Sequence, residues 1–189
     1  MALLLSSVPF LQPTTADAYL SYLCGDWKVR KVVTFQHGGP KGRFSGSASF
    51  SVLDAEAPKL LSYCEAGIFT TELEGVGERE TRNRLLYDFS DWQKINVLYD
   101  LATDRDSVRS ILEPAKLLYT LRPDAAVAGT ARSERVAADG DEDDTYYWGD
   151  LEVSARDAFL TTWNVDGPSQ QGQILSLFRR AEGAGVEES

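Results

Sequence analysis

The residues best able to do chemistry lie in the stretch YCEAGIF, residues 63–69, where a carboxylate shares its alternation with a phenol, a glycine and a benzyl ring. Alternate residues of an extended chain face the same way. If Tyr63, Gly67 and Phe69 point inward, Glu65 points inward with them. A buried carboxylate needs a cation, because an unpaired buried charge costs several kcal/mol. Arg84 and Arg82 on the following apolar segment, or Arg43 on the preceding one, are the natural partners. Two roles are open to Glu65: a core ion pair that sets strand register, or a polar anchor for a ligand in an aromatic cavity. With a tyrosine as donor it could also serve as the acid/base of an isomerisation or hydration.

Other chemistries find little support. His37, the one histidine, lies in the turn sequence HGGPKG with no Cys, Asp or Glu close by. It reads as a solvated turn residue, so neither a metal site, nor axial haem ligation, nor a catalytic base is expected there. The glycines of that turn precede no helix pattern and lack Gly-Lys-Ser/Thr, which excludes a phosphate-binding loop. In DGDEDDTYYWGD, Asp139, Asp141, Asp143 and Asp150 fall at calcium-loop spacing, but Asp144 occupies the glycine position and Asp150 the position of the bidentate Glu. That stretch reads as an exposed acidic hairpin. Ser, His and Asp do not cluster, and neither Cys24 nor Cys64 has a histidine near it in sequence, so no catalytic residue is assigned and no cofactor is expected.

The elements that position these residues are strands. FSGSASFSV (44–52) alternates apolar or small residues with serines, and 60–75, 80–91, 94–101, 107–123, 145–155, 158–166 and 173–180 continue the series, after a first strand that begins at Trp27. Gly-, Pro- and Asp-rich turns separate them. Small residues on the inner face of 44–52 suggest sharp curvature or a strand running close beneath a ligand. Only TTADAYLSYLC (14–24) reads as a helix, capped by Thr14 or Thr15, with Ala18, Leu20, Tyr22 and Leu23 inward and Gly25 ending it. Short, regularly spaced strands with one helix predict an all-β antiparallel sandwich or barrel, and closure into an up-and-down barrel of about nine to ten strands would also remove exposed edges.

The whole chain has 189 residues, a net charge of −10 and a pI near 4.6. One barrel domain is expected over 14–180, with an N-terminal extension over 1–13 and a disordered acidic tail over 181–189. The acidic balance argues against a nucleic-acid or anionic-membrane partner. Two cysteines are too few for a disulfide framework, MALLLSSVPFLQP lacks the basic region and apolar length of a signal peptide, and no stretch reaches the length of a membrane span. A reduced, cytoplasmic setting is expected.

A short helix leading into Gly25-x-Trp27, with Arg179-Arg180 ending the last strand, resembles the lipocalin (calycin) barrel pattern. The resemblance implies an arginine laid over the tryptophan at the closed end of the barrel. Trp27-x-Val29 followed by Arg30, Gly42-x-Phe44-x-Gly46-x-Ala48-x-Phe50, Tyr63-x-Glu65-x-Gly67, Arg84 with Tyr87, and Trp163-x-Val165-x-Gly167-Pro168 are similar to an uncharacterised lipocalin-like family, a domain of unknown function, over about residues 25–180. That family usually carries histidines and a cysteine on its later strands and a Lys after Gly-Pro; this chain has neither.

A barrel of this size encloses more space than its own side chains readily fill. The expected function is binding of a small apolar or aromatic molecule, with Glu65, Tyr63, Arg84, Tyr87, Phe50 and Trp163 at the site and Trp27, Arg179 and Arg180 as structural residues. The alternatives are an enzyme of the same fold using Glu65, or an interaction scaffold using the acidic 139–144 hairpin, as a monomer or homodimer.

Overall fold

The Thr15 hydroxyl accepts a hydrogen bond from the Ala18 N–H and caps α1 (Ala16–Leu23), which turns Ala16, Tyr19, Tyr22 and Leu23 into the protein in the computed structural model. The structure describes residues 10–72, 77–102, 107–137 and 145–181. The cap is one of the two the sequence offers, and Tyr22 and Leu23 face inward as expected, but Ala18 and Leu20 are only half-buried, and Ala16 and Tyr19 take the other buried positions. Gly25 follows with φ +115, a conformation that residues with a Cβ rarely adopt. A Cβ there would also lie 2.8 Å from Arg180 Nη1.

From Gly25 the chain is an antiparallel meander: β1 (Gly25–His37), β2 (Lys41–Asp54), β3 (Ala57–Thr71), β4 (Glu78–Asp88), β5 (Ile95–Tyr99), β6 (Lys116–Pro123), β7 (Thr130–Ser133), β8 (Val136–Ala137), β9 (Tyr146–Ala155), β10 (Ala158–Asp166) and β11 (Gln171–Arg180). Each strand pairs with the next, except that β7 pairs with β9 and not with β8. Both β7 and β8 pair with β9, at Ala131↔Leu151 and Val136↔Tyr147, and act as one interrupted strand. The last strand, β11, pairs with β1 along its length, so the sheet closes as a ten-stranded barrel.

Two local expectations are corrected. Residues 107–112, read as strand, contain the short helix α2 (Val108–Leu112), because Ser107 and Ser110 exchange side-chain and backbone hydrogen bonds in a capping box. Ile111 of α2 packs on Leu60 and Leu86, covering the outer wall. Strands β7 and β8 were not anticipated; four and two residues are too short to show an alternation. Most of the acidic hairpin, 138–144, and residues 182–189 of the tail lie outside the described residues. No helix among the described residues is long and apolar enough to cross a membrane.

The interior is aromatic. Phe159 and Phe178 stack at 4.3 Å, and Trp27 meets Phe159 edge-on at 4.7 Å. Such pairs add about 0.5–1.5 kcal/mol beyond the area they bury. Gly46 and Gly67 face each other across β2 and β3, and a Cβ on either would lie 2.8 or 2.7 Å from Phe44 Cζ. The small residues of β2 therefore make room for the ring of Phe44 itself.

Candidate functional site: the barrel interior

The closed end is built first. Trp27 is fully buried, and its Nε1–H donates to the Leu23 carbonyl at 2.8 Å. Arg180 is opposite Trp27 in the β1–β11 register, and its guanidinium carbon lies 3.9 Å from the indole centre. Its two terminal nitrogens donate to the carbonyls of Cys24 and Tyr22 at 2.5 Å each, tying the last strand to the end of α1. Cation–π stacking of this kind contributes about 0.5–2 kcal/mol. Arg179, one residue away, has the opposite parity and is exposed beside Lys28.

Above this plug the inward residues of β3 and β4 form an aromatic layer. Phe50 packs on Tyr63 at 4.8 Å and on Tyr87 at 5.3 Å. Next along β3 comes Glu65, with its side chain 7% exposed. Its cation is Lys31 of β1, with Nζ 2.5 Å from Oε2 and 2.6 Å from Oε1, and the Tyr63 hydroxyl donates to Oε2. None of the arginines expected from the sequence takes this role. Arg84 is paired with Cys64, Arg82 with Ala66 and Arg43 with Thr70, all on the outward alternation, and all three are exposed. Asn83 stands opposite Glu65 on β4.

Beside this pair lies a cavity of about 160 Å³. Tyr63, Tyr87, Trp163 and Lys31 border it, together with Tyr99 and Tyr119. Phe50 lies beneath the lining, Glu65 sits behind Tyr63 and Lys31, and Arg84 is on the far side of the wall. A signal for Lys31 was present: it shares its alternation with Trp27, Val29, Val33 and Phe35, so a lysine occurs in an otherwise apolar row. Tyr99 shares its alternation with the inward Ile95 and Val97, and Tyr119 with the inward Leu121, across a register shift between Val97 and Leu98.

Burial raises the pKa of every one of these phenols. Tyr63 and Tyr87 are held far above the ordinary tyrosine value, first by desolvation and then by neighbouring Glu65 and Tyr119. Burial likewise raises Tyr119, and lifts Tyr99 to about 12. The Tyr87 and Tyr119 hydroxyls are hydrogen-bond partners. Trp163 stacks on Tyr147 at 5.5 Å, and its buried Nε1 has no hydrogen-bond partner among the described residues. His37 is exposed at the end of β1, 3.4 Å from the Gly167 carbonyl. Among the described residues no three His, Cys, Asp or Glu side chains converge as metal ligands. Cys24 and Cys64 are free and only half-buried. The interior thus offers shape, aromatic faces and hydrogen-bond donors around one neutralised charge pair.

A family model, described as a family of unknown function (DUF6314), matches residues 23–180. No curated protein matches the chain. Among solved structures, the S-type phycobiliprotein lyase CPES from Guillardia theta is similar with a TM-score of 0.56 at 9% identity, covering 89% of this chain and 94% of that one. A protein of unknown function from the DUF3598 family of Nostoc punctiforme gives 0.49 at 12% identity, over 93% of this chain and 53% of that one. The barrel EF1p2_mFAP2b bound to DFHBI gives 0.42 at 10% identity, over 85% and 95%.

Proposed function

The chain belongs to the family of unknown function DUF6314, and from that premise we propose that it is a binding barrel for a small apolar or aromatic molecule held in the interior. The observation that carries this reading is the cavity of about 160 Å³ between Tyr63, Tyr87, Tyr119 and Trp163, with Lys31 as its one charged wall residue. An apolar cavity of about 150 Å³ in another protein accommodates benzene, so this space suits one ring with a short substituent. A barrel of the same shape is the lyase from Guillardia theta, but at that identity the likeness speaks to fold, and the proposal rests on the cavity.

An acid/base enzyme built on Glu65 is the weaker alternative. The carboxylate does not border the cavity, and both its oxygens already hold donors from Lys31 and Tyr63. Phe50 and Arg84 drop out as direct ligand contacts for the reasons of placement given above. The test is native mass spectrometry of the purified protein, followed by NMR titration with one-ring aromatic compounds. Binding is expected to shift the Trp163 indole resonance. Finding no bound compound, and no shift from any such ring at millimolar concentration, would overturn the proposal.

A further inference from the structure

The donors around the cavity are not all used. An ammonium group has three N–H bonds, and the two oxygens of Glu65 engage two of those on Lys31, leaving the third with no oxygen or nitrogen acceptor among the described residues, the Phe44 ring centre lying 5.4 Å from Nζ. The O–H of Tyr63 is spent on Glu65. The Tyr87 and Tyr119 hydroxyls are hydrogen-bond partners, and one such bond uses one of their two protons, leaving the other for an acceptor in the cavity. Other polar wall groups, Thr161, Ser176 and Asn83, can donate or accept. Lys31 can only donate, and it breaks the tie.

Taking the interior to be a binding site, as proposed above, we infer that its ligand is a one-ring compound carrying a hydrogen-bond acceptor oxygen, such as an aryl ketone, aldehyde or phenol, received by Lys31 and the Tyr87–Tyr119 hydroxyls. Amines are refused. A ligand cation would meet the Lys31 charge, the one charged residue of the wall, while Glu65 lies behind it with both oxygens occupied. Like charges in such a weakly screened interior repel strongly. The raised pKa values of the phenols keep them protonated, and so able to donate, throughout the neutral range.

The experiment is an NMR titration of the full chain with acetophenone, toluene and benzylamine, which have similar rings and differ in their polar group. Acetophenone is expected to bind about 10-fold more tightly than toluene, and benzylamine more weakly than toluene. In Tyr119→Phe the acetophenone affinity should fall by about 3–10-fold, the worth of one hydrogen bond, with toluene unchanged. Toluene binding as tightly as acetophenone, or benzylamine binding best, would overturn the acceptor class while leaving a binding cavity in place. If none of the three binds at millimolar concentration, the binding reading falls and this inference with it. Should Tyr119→Phe fail to fold, the ratio of acetophenone to toluene on the unaltered chain decides alone.

Discussion

Lys31 and Glu65 neutralise each other inside the barrel, at 14% and 7% side-chain exposure. Removing one partner strands the other as a buried charge. Lys31→Met should therefore destabilise the protein by about 3–5 kcal/mol, and Lys31→Met combined with Glu65→Gln should recover most of that loss, because an uncharged pair has little left to desolvate. Urea unfolding of the two variants measures it; equal losses in both would show that packing, not charge, dominates at this position. The alternation in residues 63–69 was enough to turn Glu65 inward. Its partner was out of reach, because the choice between Lys31 and Arg84 depends on which parity each strand turns inward and on which strands lie within side-chain reach across the barrel. The arginines attracted attention as the conspicuous charges, but Arg82 and Arg84 share their alternation with the outward Leu86, and only Asn83, Leu85 and Tyr87 share the inward one.

Long strands announced themselves, and short elements did not. Strands β2 and β3, of 14 and 15 residues, carry enough periods to display their alternation. Helix α2 has five residues, β7 four and β8 two, and at that length a helix and a strand look alike. What identifies α2 is its cap: Ser107→Ala should cost about 1 kcal/mol, seen as local loss of amide protection over 108–112 while the cavity keeps its spectrum. The paired glycines make a stronger demand. In Gly67→Ala the new Cβ would sit 2.4 Å from the Ser45 carbonyl oxygen and 2.7 Å from Phe44 Cζ. Displacing that ring should lower stability by about 1–3 kcal/mol, and an unchanged melting temperature would show that β2 and β3 part without strain.

At the scale of the whole barrel, burial of many phenols makes stability depend on alkaline pH. Tyr22 and Tyr99 are pushed up to about 12 chiefly by desolvation, and Tyr19, Tyr63, Tyr87 and Tyr119 shift the same way. Unfolded tyrosines titrate near about 10. Above that value the folded chain binds more protons than the unfolded one, so stability is fully present below about pH 10 and declines as pH rises toward 12. Phenolate absorbance should therefore appear together with unfolding; a smooth rise near pH 10 in folded protein would contradict the buried placement. The number and spacing of strands narrow the architecture to an antiparallel sandwich or barrel, and the β1–β11 pairing decides for closure. One consequence belongs to synthesis. Because β1 finds its second neighbour only in β11, a ribosome must release nearly the entire chain before the ring can shut. Until then β1 waits as an open edge, so a growing polypeptide halted before residue 171 should not give a barrel spectrum. Contacts so distant in sequence also place folding of the completed chain among the slower, millisecond-to-second cases.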